Sequence, residues 1–270
     1  MSVPQTQSVP QTQCGGKTCL ITGGAGGLGK AIAVEFLKAG ANVVICDINA
    51  ERVEQTSTEL AAMGSFRAVA ADITCPEAMQ RLFDQIIGDF QSLDILVNNA
   101  AIMDRFEPVG DLELEQWDRV LAVNLTAPLV LSKMAIRAIL QQPSPNGCII
   151  NIASAAAKAG WLAGTAYTTS KHGLIGLTKS TAAFYGPHGI RCNALTLGAM
   201  PGTNISDAFQ DECHQQGHKK VTDILSGTKP QLCEVKDVAS LCVSLSCGPG
   251  WNIVNGSVIA VDHGWMSVVG

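Results

Sequence analysis

The chain has 270 residues, of which 15% are charged against a usual share of about 25%, with 27 glycines and a formal net charge of −5. That length suits one large domain burying roughly three quarters of its extended-chain surface, so neither a disulfide nor a metal is required to hold it together. The acidic balance argues against a nucleic-acid partner, and no uninterrupted apolar run approaches the roughly 18 residues of a membrane span, so a soluble globular protein is expected.

Residues 2–13 are SVPQTQ written twice, with two prolines and no hydrophobic period. A flexible tail over residues 1–15 is expected, followed by a single folded domain over 16–270. The tail lacks the charged start and apolar core of a signal peptide, which points to the cytoplasm. Cys19, Cys46, Cys148, Cys192 and Cys242 sit inside apolar runs, where a free thiol behaves as a small hydrophobe. No CxxC pair occurs, so a reducing compartment is expected and no metal is. Cys213, His214 and His218, among Asp211, Glu212, Gln215 and Gln216, read as a solvated helix face rather than a zinc site.

From Lys17 onward, short apolar runs alternate with stretches of helical period. The runs 18–22, 42–47, 66–72, 93–100, 147–154, 190–196 and 257–262 read as buried parallel strands. Helices are expected over 28–39, 49–62, 76–90, 112–140 and 165–185. Strand–helix alternation implies right-handed βαβ units: an α/β fold with a doubly wound parallel sheet of seven strands in one domain.

The first strand runs into Thr22-Gly23-Gly24-Ala25-Gly26-Gly27-Leu28-Gly29, and a helix follows. Glycines there admit positive φ and let backbone N–H groups approach a pyrophosphate, which the helix N-terminus also attracts. Asp47 closes the second strand about 20 residues on, where a carboxylate accepts from adenosine ribose hydroxyls and repels a 2′-phosphate. NAD is therefore favoured over NADP, with Lys30 just beyond the loop as a weak counterweight. The other reading of Asp47 is a turn or capping residue before Asn49.

Tyr167 and Lys171 stand four apart and share a helix face, with Ser154 thirteen residues before the tyrosine at a strand end. An ammonium about 4 Å from a phenol, at an effective dielectric near 20, is worth roughly 4 kcal/mol, or about three pK units. Tyr167 is thus expected to have a lowered pKa suited to proton transfer.

In these residues the chain resembles the short-chain dehydrogenases/reductases, from about Lys17 to Trp265. The motifs are TGxxxGxG at Thr22–Gly29, Asp47, Asp72, Asn98-Asn99-Ala100, Asn124, Ser154, Tyr167–Lys171 and the segment Asn193–Gly198. The resemblance implies a Rossmann fold and a tetrad of Asn124, Ser154, Tyr167 and Lys171. Tyr167 would be the acid/base, Ser154 would polarise the substrate oxygen, Lys171 would hold the nicotinamide ribose, and Asn124 would anchor a relay water. It implies cofactor contacts from Gly23, Gly27, Leu28, Gly29, Asp47, Ile48, Asp72, Ile73, Asn98, Tyr167, Lys171, Met200 and Thr203, and substrate contacts from Ser154 and Tyr167. Taken singly, Asn124, Asp72 and Asn98 also read as a buried cap, a strand-end turn and an Asx turn. It further implies a homotetramer paired through the long helices. Four positions depart from the family pattern: Leu197 for proline, Pro201-Gly202 displacing Thr203, Ala101 for glycine, and His263 for glycine.

The expected function is hydride transfer between NAD and a secondary alcohol or ketone. The alternatives are an NADPH-dependent ketoreductase of the 3-oxoacyl type and a non-catalytic NAD-sensing module. The segment 199–230 is expected to wall the substrate site as a flexible loop, with Met103, Phe106, Trp161, Leu162 and Met200 as candidate apolar lining. That wall is read as holding no cluster of arginine or lysine to grip a phosphate or carboxylate, which favours an uncharged small-molecule substrate.

Overall fold

Seven parallel strands form one sheet in the order β3-β2-β1-β4-β5-β6-β7. The computed structural model describes residues 13–203, 205 and 213–269. The strands are β1 (Thr18–Thr22), β2 (Asn42–Asp47), β3 (Phe66–Ala70), β4 (Ile95–Asn98), β5 (Gly147–Ser154), β6 (Ile190–Leu197) and β7 (Val258–Val261). The helices are α1 (Gly27–Lys38), α2 (Ala50–Leu60), α3 (Pro76–Phe90), α4 (Leu114–Leu121), α5 (Ala127–Leu140), α6 (Thr165–Tyr185), α7 (Gln215–Thr228), α8 (Val235–Cys247) and α9 (Trp265–Val269).

The strand pleat sorts the apolar runs into two cores. Cys19, Ile21, Val43, Ile45, Ile95 and Val97 face α1, α2 and α8, while Leu20, Val44, Cys46 and Leu96 face α3 and α5. Successive side chains point to opposite faces, so a run apolar at every position needs helices on both sides. The stretch expected as one helix over 112–140 is two helices joined by a π-helical turn at Ala122–Thr126. By length and composition it could cross a membrane, but here Leu131, Ala135, Ile136 and Ile139 are buried against the sheet.

Three local expectations are corrected. Cys14 is buried, its N–H donates to the Ala39 carbonyl at 2.9 Å, and it forms a disulfide with Cys247 across 233 residues of sequence. That bridge corrects the expected tail boundary, since residue 14 of the tail set at 1–15 is tied into the fold, whereas Cys19, Cys46, Cys148, Cys192 and Cys242 are free and buried as expected. Closing so long a loop contributes about 2–5 kcal/mol to stability. Segment 199–230 is not all loop, since α7 occupies Gln215–Thr228; residues 1–12, 204, 206–212 and 270 lie outside the described residues. His214 caps α7 by accepting from Gly217 N, and its Nε2 lies 3.2 Å from Asp111, an arrangement that engages both ring nitrogens.

Strand order reverses between β1 and β4, and ligands in open α/β sheets bind outside the carboxyl ends of the strands at such a point.

Candidate active site

One cavity of about 410 Å³ opens at that switch point. Its floor is the glycine loop between β1 and α1. Gly23 and Gly27 have φ of 63° and 47°, the left-handed region that a side chain disfavours. A Cβ on Gly29 would stand 2.1 Å from the Gly23 carbonyl oxygen, so only glycine lets α1 start this close to the loop. Gly29 itself does not line the cavity; Gly23, Gly26, Gly27 and Leu28 do. The cradle fits a dinucleotide pyrophosphate, because its small residues clear the space and α1 presents its N-terminus.

Asp47 and Ile48 sit at one end of the cavity with Asp72, Ile73 and Arg52. Both Asp47 oxygens also brace backbone: Oδ2 accepts from Ala25 N and Oδ1 from Asn49 N, each at 3.1 Å. The aspartate thus fixes the glycine loop and the start of α2 as well as facing the cavity. Asp72 Oδ1 closes a turn by accepting from Thr74 N and Thr74 Oγ1. Arg52, in the first turn of α2, is a cation at this end that no motif in the sequence marks.

Asn98 is not where the motif placed it. It is the last residue of β4 and points with Leu96 into the core, donating to Asn151 Oδ1 at 2.8 Å and to Ser132 Oγ at 3.3 Å. Asn99 takes the cavity position instead, and its Nδ2 ties Thr22 O and Gly23 O to the loop after β4.

At the other end, Ser154, Tyr167 and Lys171 come together in the cavity wall. Ser154 ends β5, and α6 carries Tyr167 and Lys171 on its inner face. Ser154 Oγ accepts from Ala156 N at 3.1 Å, which fixes the hydroxyl at the strand end on the tyrosine's side of the cavity. Lys171 Nζ donates to the Ile152 carbonyl at 3.0 Å and lies 5.4 Å from the centre of the Tyr167 ring. The expected lowering of the Tyr167 pKa is absent: burial pushes the phenol up to about 12, with the nearby Ser154 hydroxyl opposing and the Asp104 charge adding to the rise. Burial pulls Lys171 down to about 8. Both shifts favour the neutral form, since desolvation penalises charge of either sign.

Asn124, expected to anchor a relay water, lies behind the wall. Its Nδ2 donates to Ile102 O at 2.9 Å and Ser170 Oγ at 3.2 Å, and its Oδ1 accepts from Ile102 N. The π-helical turn aims its amide at these partners. Met200 and Thr203 line the cavity despite the added Pro201-Gly202, and His263 takes the left-handed φ of 51°. Met103, Leu162 and Met200 line the cavity with Ile102 and Ile205, whereas Trp161 packs edge-on against Trp265 and Phe106 against His218.

The family model for short chain dehydrogenases matches residues 17–214. The chain belongs to the short-chain dehydrogenases. It is 66% identical over 260 residues to the short chain dehydrogenase/reductase dpchG of Colletotrichum higginsianum, covering 96% of this chain and 97% of that one. It is 34% identical to 3beta-hydroxysteroid dehydrogenase 2 of Eggerthella lenta, covering 93% and 95% of the two chains. A solved structure with 30% identity and a TM-score of 0.82, covering 95% and 99%, is described as a putative NAD(P) dependent gluconate 5-dehydrogenase from Beutenbergia cavernae with bound NADP. Short-chain dehydrogenases are oxidoreductases that bind a nicotinamide dinucleotide and act on small molecules. The cavity has the two ends that such a pair of ligands requires.

Proposed function

We propose that this short-chain dehydrogenase transfers a hydride between NAD and an uncharged secondary alcohol or ketone, with Tyr167 as acid/base. The observation that carries the reading is the meeting of Ser154, Tyr167 and Lys171 in the wall of the cavity whose floor is the glycine loop. When bound, the dinucleotide supplies the hydride acceptor or donor at its nicotinamide. Gly23, Gly26 and Gly27 would hold its pyrophosphate, Asp47 and Ile48 its adenosine ribose, Asp72 and Ile73 its adenine, and Lys171 its nicotinamide ribose. Met200 and Thr203 would flank the nicotinamide.

Tyr167 moves the proton on the substrate oxygen, which the Ser154 hydroxyl also bonds. Its neutral phenol at physiological pH is the form that donates during ketone reduction. Ile102, Met103, Leu162, Met200 and Ile205 give the substrate end an apolar lining, which supports an uncharged carbon skeleton. The hydroxysteroid named for a relative at 34% identity fits that lining. A homotetramer paired through α5 and α6 is part of the proposal, supported by the exposed Leu129 and Phe184.

A second reading, an NADPH-dependent ketoreductase, is favoured by Arg52 at the adenosine end, since a guanidinium there suits a 2′-phosphate. Turnover with NAD+ and NADP+ separates the two. We expect NAD+ to give the higher kcat/KM, and Asp47→Ala to shift preference at least about tenfold toward NADP+ as the like-charge repulsion disappears. A native preference for NADP+ that Arg52→Ala abolishes would establish the second reading.

A further inference from the structure

The carboxylate of Asp104 lies in the loop after β4, 3% exposed, and grips the start of the helix that carries the acid/base. Oδ2 accepts from Tyr167 N at 2.8 Å, and Oδ1 accepts from Gly164 N at 3.0 Å and Phe106 N at 3.1 Å. Gly164 is the N-cap residue of α6 and has no side chain to cap with, so the first turn lacks an acceptor of its own. Asp104 supplies that acceptor from 60 residues away. A carboxylate suits the place, because it satisfies orphaned N–H groups and complements the positive end of the helix dipole.

The fit is close. A Cβ on Gly164 would meet Asp104 Oδ2 at 2.6 Å. The next residues of the loop extend the grip: the Glu107 carbonyl accepts from Thr165 N at 2.9 Å and from Thr165 Oγ1 at 3.0 Å. Between the two acidic residues, Phe106 is held at a φ of 64°, a left-handed conformation that a buried aromatic adopts only when its surroundings impose it. The Arg105 carbonyl accepts from His214 N at 2.8 Å, so the loop also ties down the start of α7.

We propose that Asp104 is a positioning residue for the reaction: it fixes the register of the first turn of α6 and so sets Tyr167, and Lys171 one turn later, against Ser154. The inference rests on Tyr167 being the acid/base. Tyr167 is the third residue of α6, inside the turn that frays first when a cap is lost. A displacement of about 1 Å at a reacting group costs on the order of a hundredfold in rate.

The test compares the full-length wild type with Asp104→Asn and with Gly164→Ala. Asp104→Asn turns one acceptor into a donor facing an N–H; Gly164→Ala displaces the carboxylate without altering it. Steady-state rates are taken with the secondary alcohol that the wild type oxidises best, NADH affinity by fluorescence, and amide hydrogen exchange at Gly164 and Tyr167. We expect kcat to fall about ten- to a hundredfold in both variants, with KM and the NADH Kd within about twofold. Exchange at the Tyr167 amide should quicken at least about tenfold while that at Leu174 holds.

Wild-type kcat in both variants would overturn the proposal. So would a fall in kcat matched by equal losses in KM, NADH affinity and melting temperature, which would mark Asp104 as a structural residue only. If the wild type turns over no alcohol, the reading of Tyr167 fails, and the exchange data still decide on Asp104. Unchanged protection at Tyr167 in a folded Asp104→Asn protein would then refute the grip.

Discussion

Lys171 Nζ points at the Ile152 carbonyl, 3.0 Å away, and lies 5.4 Å from the centre of the Tyr167 ring. The two side chains are thus both buried in the cavity wall, and burial holds both toward their neutral forms.

Burying Lys171 should cost stability at neutral pH. Its folded pKa of about 8 lies below the reference 10.5, so between these values the unfolded chain binds more protons and stability rises with pH. Below pH 8 the full cost is present, about 3 kcal/mol from the size of the shift, offset by about 1 kcal/mol for the bond to Ile152. Lys171→Met should therefore raise the unfolding free energy of the cofactor-free protein at pH 7 by about 2 kcal/mol while removing turnover. The gain should vanish as pH climbs from 8 to 10.5. Denaturant titrations across that range check it; a variant less stable at pH 7 would contradict the assignment.

The glycine cradle makes a separate prediction. In Gly29→Ala the new methyl meets backbone, the Gly23 oxygen at 2.1 Å, which has no rotamer to escape into. We expect a loss of about 1–3 kcal/mol in stability and at least about a tenfold weaker NADH Kd. Gly176→Ala is the control, since nothing lies within 4 Å of its Cβ and alanine favours the helix by about 1 kcal/mol. Equal NADH affinity in the two variants would mean that the loop does not cradle the cofactor.

These contrasts show what was legible in the sequence. The strands β1, β2 and β5 match their apolar runs residue for residue, because Gly23, Asp47 and Ser154 mark where the runs stop and only Asn151 interrupts them from within. Asn98 and Asn99 are adjacent and chemically identical, and only the last residue of β4 decides which faces the core. The Cys14–Cys247 bridge joins residues too distant for spacing to reveal. The Tyr167–Lys171 spacing was plain, but the direction of the phenol's shift depends on how completely the cavity wall excludes water. Asp104 left no signal at all, being a lone aspartate whose partner amides on α6 lie 60 and 63 residues away.

The most direct test is oxidation of secondary alcohols by NAD+ in the wild type and in Tyr167→Phe, with NADH binding measured alongside. Tyr167 must lose its proton to act as a base, and burial holds its pKa near 12 in the cofactor-free protein, so wild-type oxidation should accelerate as pH rises. The variant should lose about a thousandfold in kcat and keep NADH affinity within about twofold. Turnover in Tyr167→Phe equal to that of the wild type, or a rate that stays flat with pH while chemistry limits it, would contradict the account.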